Sequence, residues 1–314
     1  MTVRVAHSGS VQLAYETVGP PGGEPLLLIM GLDSPMRWWP DGFCFELADR
    51  GLTVARFDNR DTGRSTRVRA RTRPRAVRRP TRSIRGTGRA AAGYSAQDLI
   101  DDAKTVLDAL GWSSAHVVGQ SLGASIAIGL GLRYPDRVRT IASLSALPRG
   151  FRLAEAARYV DPFGLLRMAR VTARRPRTRE QDVRQQVELA RMQAGRSQPF
   201  DERWVRETAE QIAADGPGDP AAAARQLAAI RSHSGLLRHP ERLTVPLLAL
   251  HGAEDPLVRP SAAAALAREV PEGRAVVFAG MGHEVPRRLW PILADEIARN
   301  IARARSLAGE RLEG

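Results

Sequence analysis

The chain has 314 residues, 43% hydrophobic and 26% charged, the balance of a soluble globular protein long enough for one large core plus an attached unit. No apolar run is long and unbroken enough to span a bilayer, and the start MTVRVAHSGSVQLAYETVG alternates like a strand and lacks a secretory pattern, so the expected location is the cytoplasm. The 47 basic residues against 34 acidic ones give a net charge of +13, but Lys104 is the lone lysine; a chain-wide arginine bias of this kind follows from GC-rich coding, and no nucleic-acid partner is expected.

Apolar runs bounded by Gly, Pro and Asp alternate with helical periodicity along most of the chain, which predicts a mostly parallel central sheet with helices on both faces. A hairpin-like segment over Val11–Val18 comes first. It is followed by a buried strand Pro25–Met30, a short helix Gly42–Arg50 and a strand Thr53–Phe57. Cys44, the single cysteine, excludes an intrachain disulfide and reads as a small buried apolar residue. Residues 66–93 are crowded with arginine and carry almost nothing apolar, so a solvated loop is expected there. Ala96–Leu110 places Leu99, Ile100, Ala103, Val106, Leu107 and Leu110 on one helix face. Next come a strand Ala115–Val118, a helix Leu122–Tyr134 stopped by Pro135, and a strand Val138–Leu144. From about Pro148 to Leu243 the pattern is helical, clearest at Glu180–Ala194 and Ala221–Ile230, with no convincing strand. The alternation resumes with strand Pro246–Leu250, helix Ser261–Val270, strand Ala275–Phe278 and a last helix from about Leu289 to Ala308. The expected organisation is a core in two parts, residues 1–147 and 244–314, interrupted by a helical lid at 148–243.

Gly119-Gln-Ser-Leu-Gly123 lies between a predicted strand and a predicted helix, where a sharp turn would project Ser121 from the carboxyl edge of the sheet. A helix-capping serine would account for the string alone; the flanking elements favour a nucleophile. A serine hydroxyl needs a base to take its proton and a group to orient that base. Of the six histidines, His283 in GMGHEVP follows the last predicted strand and overhangs the same sheet edge. His7 and His116 fall on strands and read as packed or surface residues, His251 as a strand-end residue, and His233 and His239 as polar residues at the end of the lid. Asp255 in HGAEDP completes the order serine, acid, histidine. Its rival is Glu254, expected to be solvated, whereas the Asp-Pro turn holds Asp255 at the loop tip. The oxyanion would be met by the backbone N–H of Leu122, at a helix N-terminus, and by that of Leu32 in the loop Met30–Pro35. A plain strand-end turn accounts equally well for Gly31 in that loop. Trp38 and Trp39 serve equally as pocket walls or as core packing.

Taken in order, the loop after LLLIM, the string RFDNRDTGRS over Arg56–Ser65, the GQSLG turn, HGAEDP and GMGHEVP resemble the α/β-hydrolase superfamily. Within it they are most similar to polyketide-tailoring esterases of the aclacinomycin methylesterase type. The resemblance implies an α/β-hydrolase fold with a helical lid, triad roles for Ser121, Asp255 and His283, oxyanion donors at Leu32 and Leu122, and neither cofactor nor metal. Two positions depart from common patterns: Met30-Gly31 stands where many relatives have His-Gly, and Ser121 where haloalkane dehalogenases and epoxide hydrolases have aspartate. The arginine-rich stretch is also longer and more basic than the family pattern. The expected activity is cleavage of a carboxylic ester, a methyl ester or lactone of a bulky small-molecule metabolite, through an acyl-enzyme. Carbon–carbon bond hydrolysis and cofactor-free perhydrolysis run on the same triad, and a non-catalytic binding protein is the alternative of another class.

Overall fold

A computed structural model describes residues 2–68, 93–148, 157–216, 218–219, 221–232 and 239–313; most of the arginine-rich stretch, the first residues of the expected lid and His233 lie outside them. The strands are β1 (Arg4–Ser8), β2 (Val11–Val18), β3 (Glu24–Ile29), β4 (Leu52–Phe57), β5 (Ala115–Gln120), β6 (Val138–Leu144), β7 (Leu247–Gly252) and β8 (Gly273–Phe278). They form one sheet in the order β1-β2-β4-β3-β5-β6-β7-β8. β2 runs antiparallel to β1 and to β4, and the remaining pairs are parallel. The expected mostly parallel sheet is therefore present, with β1 added ahead of the hairpin-like segment.

The helices are α1 (Asp41–Ala48), α2 (Ala96–Ala109), α3 (Leu122–Arg133), α4 (Pro162–Thr172), α5 (Arg179–Gln193), α6 (Glu202–Ala214), α7 (Ala222–Ser232), α8 (Ser261–Glu269) and α9 (Trp290–Glu313). Side chains of β3 alternate between two cores: Leu27 and Ile29 join the one covered by α2, α3 and α8, while Leu26 and Leu28 join the one covered by α1 and α9. All four are fully buried, as a parallel strand coated on both faces requires. Cys44 sits inside the second core, where burial pushes its thiol up to about 12, leaving it an apolar filler. Trp39 is also in that core, stacked on Phe43 with ring centroids 5.9 Å apart.

Between β6 and β7 the described residues form α4 to α7. α5 and α7 stand within a residue or two of the expected positions. α4 and α6 fall within the stretch read as helical, though the sequence did not single them out. α6 packs Val205 and Ala209 against Val183 and Val187 of α5, and Trp38 reaches this small cluster edge-on to Trp204 with centroids 6.0 Å apart. Trp38 therefore joins the core to the insertion, while Trp39 is core packing. Among the described residues no helix is long and apolar enough to cross a membrane.

Candidate active site

β5 ends at Gln120 and α3 begins at Leu122, so Ser121 alone makes the reversal between them. It does so at φ 52° and ψ −113°. A side-chain-bearing residue pays on the order of 1–3 kcal/mol for such a conformation, which persists only where its surroundings enforce it. The Ser121 N–H donates to the Leu144 carbonyl at 2.8 Å, tying the turn to the end of β6. Gly119 packs directly on the backbone of Gly123, and Gly123 on the carbonyls of Ile29 and Met30, leaving no space for a Cβ at either position. Gly123→Ala is accordingly expected to lower stability by about 1–3 kcal/mol through overpacking, seen as a lower urea midpoint. A midpoint unchanged from wild type would mean that the turn is less tightly packed than this.

Asp255 and His283 follow β7 and β8, so both project from the same carboxyl edge as Ser121, the edge where open α/β sheets bind ligands. His283 Nδ1 donates to Asp255 Oδ2 at 2.7 Å, and both side chains are almost wholly buried. The other carboxylate oxygen, Oδ1, accepts the N–H groups of Leu257 at 2.8 Å and Val258 at 2.9 Å. Burial alone would raise the Asp255 pKa, but His283 and then His251 more than reverse this and hold it well below the usual carboxylate range. For His283, burial disfavours the imidazolium, yet Asp255, with a smaller contribution from Glu284, outweighs it and the pKa is raised. Gln120, next to Ser121, donates its side-chain amide to the His283 carbonyl and so joins the turn to the histidine loop.

His251 is more than the strand-end residue expected. It is fully buried, with Nε2 2.9 Å from the Val258 carbonyl and 3.2 Å from Asp255 Oδ2. A carbonyl only accepts, so Nε2 carries the proton and the Asp255 carboxylate faces two imidazoles. The sequence signal for this was its place four residues before the acid. His116 lies on β5 between Thr140 and Glu24, and His239 is exposed beside Glu241, both away from the triad candidates.

The loop expected to supply the first oxyanion donor passes against the candidate nucleophile: a Cβ on Gly31 would stand 3.5 Å from Ser121 Cβ. Among the described residues the Leu32 N–H has no acceptor, and the Leu122 N–H, first in its helix, lies ahead of any intrahelical partner. The string RFDNRDTGRS braces this loop. Asn59 Nδ2 donates to the Met30 carbonyl at 3.0 Å, and Asp58 accepts the N–H groups of Met36 at 2.7 Å and Arg64 at 2.9 Å. Burial pushes the Asp58 carboxyl up to about 6 against the pull of those two donors.

Glu254 is partly exposed, in keeping with the solvated residue expected, but it is not without partners. Its carboxylate accepts the N–H groups of Arg196 at 2.6 Å and Ser197 at 2.9 Å and the Ser197 hydroxyl, just past α5. Glu284 accepts the Gly195 N–H at 3.1 Å, and the His283 N–H donates to the Gln193 carbonyl at 2.7 Å. The neighbours of the acid and of the base thus both fasten the insertion. Among the described residues no three His, Cys, Asp or Glu side chains are placed to hold a metal ion.

Residues 24–286 match the family model described as alpha/beta hydrolase fold. The chain belongs to the α/β-hydrolase fold family. This hydrolase is 32% identical over 322 residues to rhodomycin D methylesterase DauP of Streptomyces sp. (strain C5), covering 95% of the chain and 97% of that relative. It is 31% identical over 328 residues to rhodomycin D methylesterase DnrP of Streptomyces peucetius, with the same coverage of 95% and 97%. The meta-cleavage product hydrolase CumD of Pseudomonas fluorescens IP01 superimposes with a TM-score of 0.68 at 20% identity over 96% of this chain and 98% of that one, a likeness of fold alone.

Proposed function

We propose that this α/β hydrolase cleaves carboxylic esters through an acyl-enzyme. Ser121 is the nucleophile, His283 the general base and then acid, and Asp255 the carboxylate that fixes the imidazole tautomer. The N–H groups of Leu32 and Leu122 receive the oxyanion. The observation that carries the reading is the buried Asp255–His283 pair, set on the same sheet edge as a serine held in a strained turn. With Nδ1–H committed to Asp255, Nε2 is left as the acceptor for the serine proton. As Ser121 Oγ attacks the ester carbonyl, that proton passes to Nε2; the imidazolium returns it to the leaving alkoxide, and water repeats the cycle on the acyl-enzyme.

We place the substrate among methyl esters of bulky metabolites, with α4 to α7 as the lid that covers it. Support comes from the near full-length similarity to two rhodomycin D methylesterases. With a single buried cysteine and no need of an oxidising compartment, we assign the enzyme to the cytoplasm. The test is intact-mass spectrometry after a fluorophosphonate, followed by assay of methanol release from a panel of methyl esters. One adduct on Ser121 together with methanol release supports the reading. Cleavage of β-diketones with no ester turnover would replace it by carbon–carbon hydrolysis on the same triad.

The pH dependence has a definite sign. The base works as neutral imidazole, so activity is lost as pH falls through the His283 pKa, which is raised. The acid limb of kcat/KM is expected to have its midpoint above the ordinary imidazole value of about 6.5. A midpoint at or below that value in a pH–rate profile would count against the buried pair as the working base.

A further inference from the structure

Helix α7 of the insertion sends one fully buried amide into the core. Gln226 is 0% exposed; its Oε1 accepts the Asp33 N–H at 2.8 Å and its Nε2 donates to the Arg60 carbonyl at 2.9 Å. Burying an amide is costly unless both ends are paired, and here both pair with backbone, one in the loop after β3 and one in the loop after β4. Asp33 directly follows Leu32 and holds φ 52°, a left-handed conformation that a non-glycine residue keeps only under constraint. The Leu32 carbonyl at the other end of the same peptide unit accepts from Ser34 Oγ at 3.0 Å. The Leu32–Asp33 peptide is therefore bonded at both ends, and a planar peptide held at both ends cannot swing. The preceding N–H, that of Leu32, is left without an acceptor among the described residues, in a turn that lies against Ser121.

We infer that Gln226 is a positioning residue for the first oxyanion donor, so that the insertion helps assemble the catalytic site as well as covering it. The inference rests on the ester-hydrolase reading. Preorganised donors act on charge that develops in the transition state, so loosening one lowers kcat more than it alters substrate binding.

Gln226→Met, close in shape but without either contact, is expected to lower kcat on a chromogenic ester by roughly 10–10²-fold with KM within about threefold of wild type. Fluorophosphonate labelling of Ser121 should slow by a similar factor, since the phosphoryl oxygen occupies the oxyanion position. Arg225→Met is the control. It breaks the ion pairs of the same helix with Asp61 and Asp219 and removes a coulombic pull on the Asp33 carboxylate, but it removes no hydrogen bond to residues 30–34. Gln226→Glu keeps an oxygen facing the Asp33 N–H and, with its buried carboxyl protonated, a hydroxyl that donates to the Arg60 carbonyl, so it is expected to retain most of kcat at the pH where that carboxyl is neutral; it decides alone if the methionine variant does not fold. The inference is overturned if Gln226→Met changes KM alone or nothing, if Arg225→Met loses kcat equally, or if Gln226→Glu loses as much kcat as the loss of a whole donor. Wild-type protein that resists the fluorophosphonate altogether would instead sink the hydrolase reading beneath it.

Discussion

Replacing Ser121 by alanine is expected to cut kcat by about 10⁶-fold while leaving the fold intact. Without Oγ there is no atom to form the acyl-enzyme, and His283 has no proton to take. Substrate binding and the oxyanion donors remain, so a residual rate about 10³–10⁴ above water is expected to persist. Alanine meets the same φ of 52° as serine, and the N–H that holds the turn to Leu144 is backbone, so the urea midpoint should hardly move. Steady-state kinetics, the fluorophosphonate adduct and the unfolding curve together check this result. A folded variant that keeps more than about a hundredth of wild-type kcat, or still takes the probe, would show that another nucleophile does the chemistry.

How much was legible in the sequence followed from whether a signal was local. Leu26 to Met30 and Ala115 to Val118 announced their strands because both faces of a parallel strand are buried, and the GQSLG turn announced itself because close backbone approach excludes side chains at Gly119 and Gly123. The triad candidates were found because each lies at the end of a strand whose pattern was already clear. Helix α4 was not singled out within the helical stretch: it buries only Gly164 and Val171 while Phe163, Leu165 and Leu166 stay exposed, so its apolar residues do not trace one buried face. The stripe of α6 includes Thr208 and Ala209, which carry little weight in a periodicity argument. The bond between Gln226 and Asp33 joins residues 193 positions apart, and nothing in the insertion's own pattern distinguishes that glutamine from a surface one. Glu254 is partly exposed as expected, but its bonds to Arg196 and Ser197 were not legible because those two residues arrive from the insertion.

The second largest loss is expected for Asp255→Asn, about 10⁴-fold in kcat at the plateau of the pH profile. The carbonyl oxygen of asparagine can keep the two N–H groups of Leu257 and Val258 that now bond Oδ1. Its amide then stands where Oδ2 accepts His283 Nδ1 at 2.7 Å and faces His251 Nε2 at 3.2 Å. Since Nε2 of His251 carries a proton for the Val258 carbonyl, the new amide confronts one fixed donor and turns to His283 for an acceptor. His283 is thereby driven into the tautomer with its proton on Nε2, which cannot accept from serine. The change also removes the carboxylate that raises the His283 pKa, so the residual activity should show an acid limb at lower pH than wild type. Glu254→Gln leaves the imidazole partner in place and serves as the comparison. If Asp255→Asn lost less than about tenfold, or if its acid limb stayed put, the orienting role would belong elsewhere, with Glu254 the next residue to test.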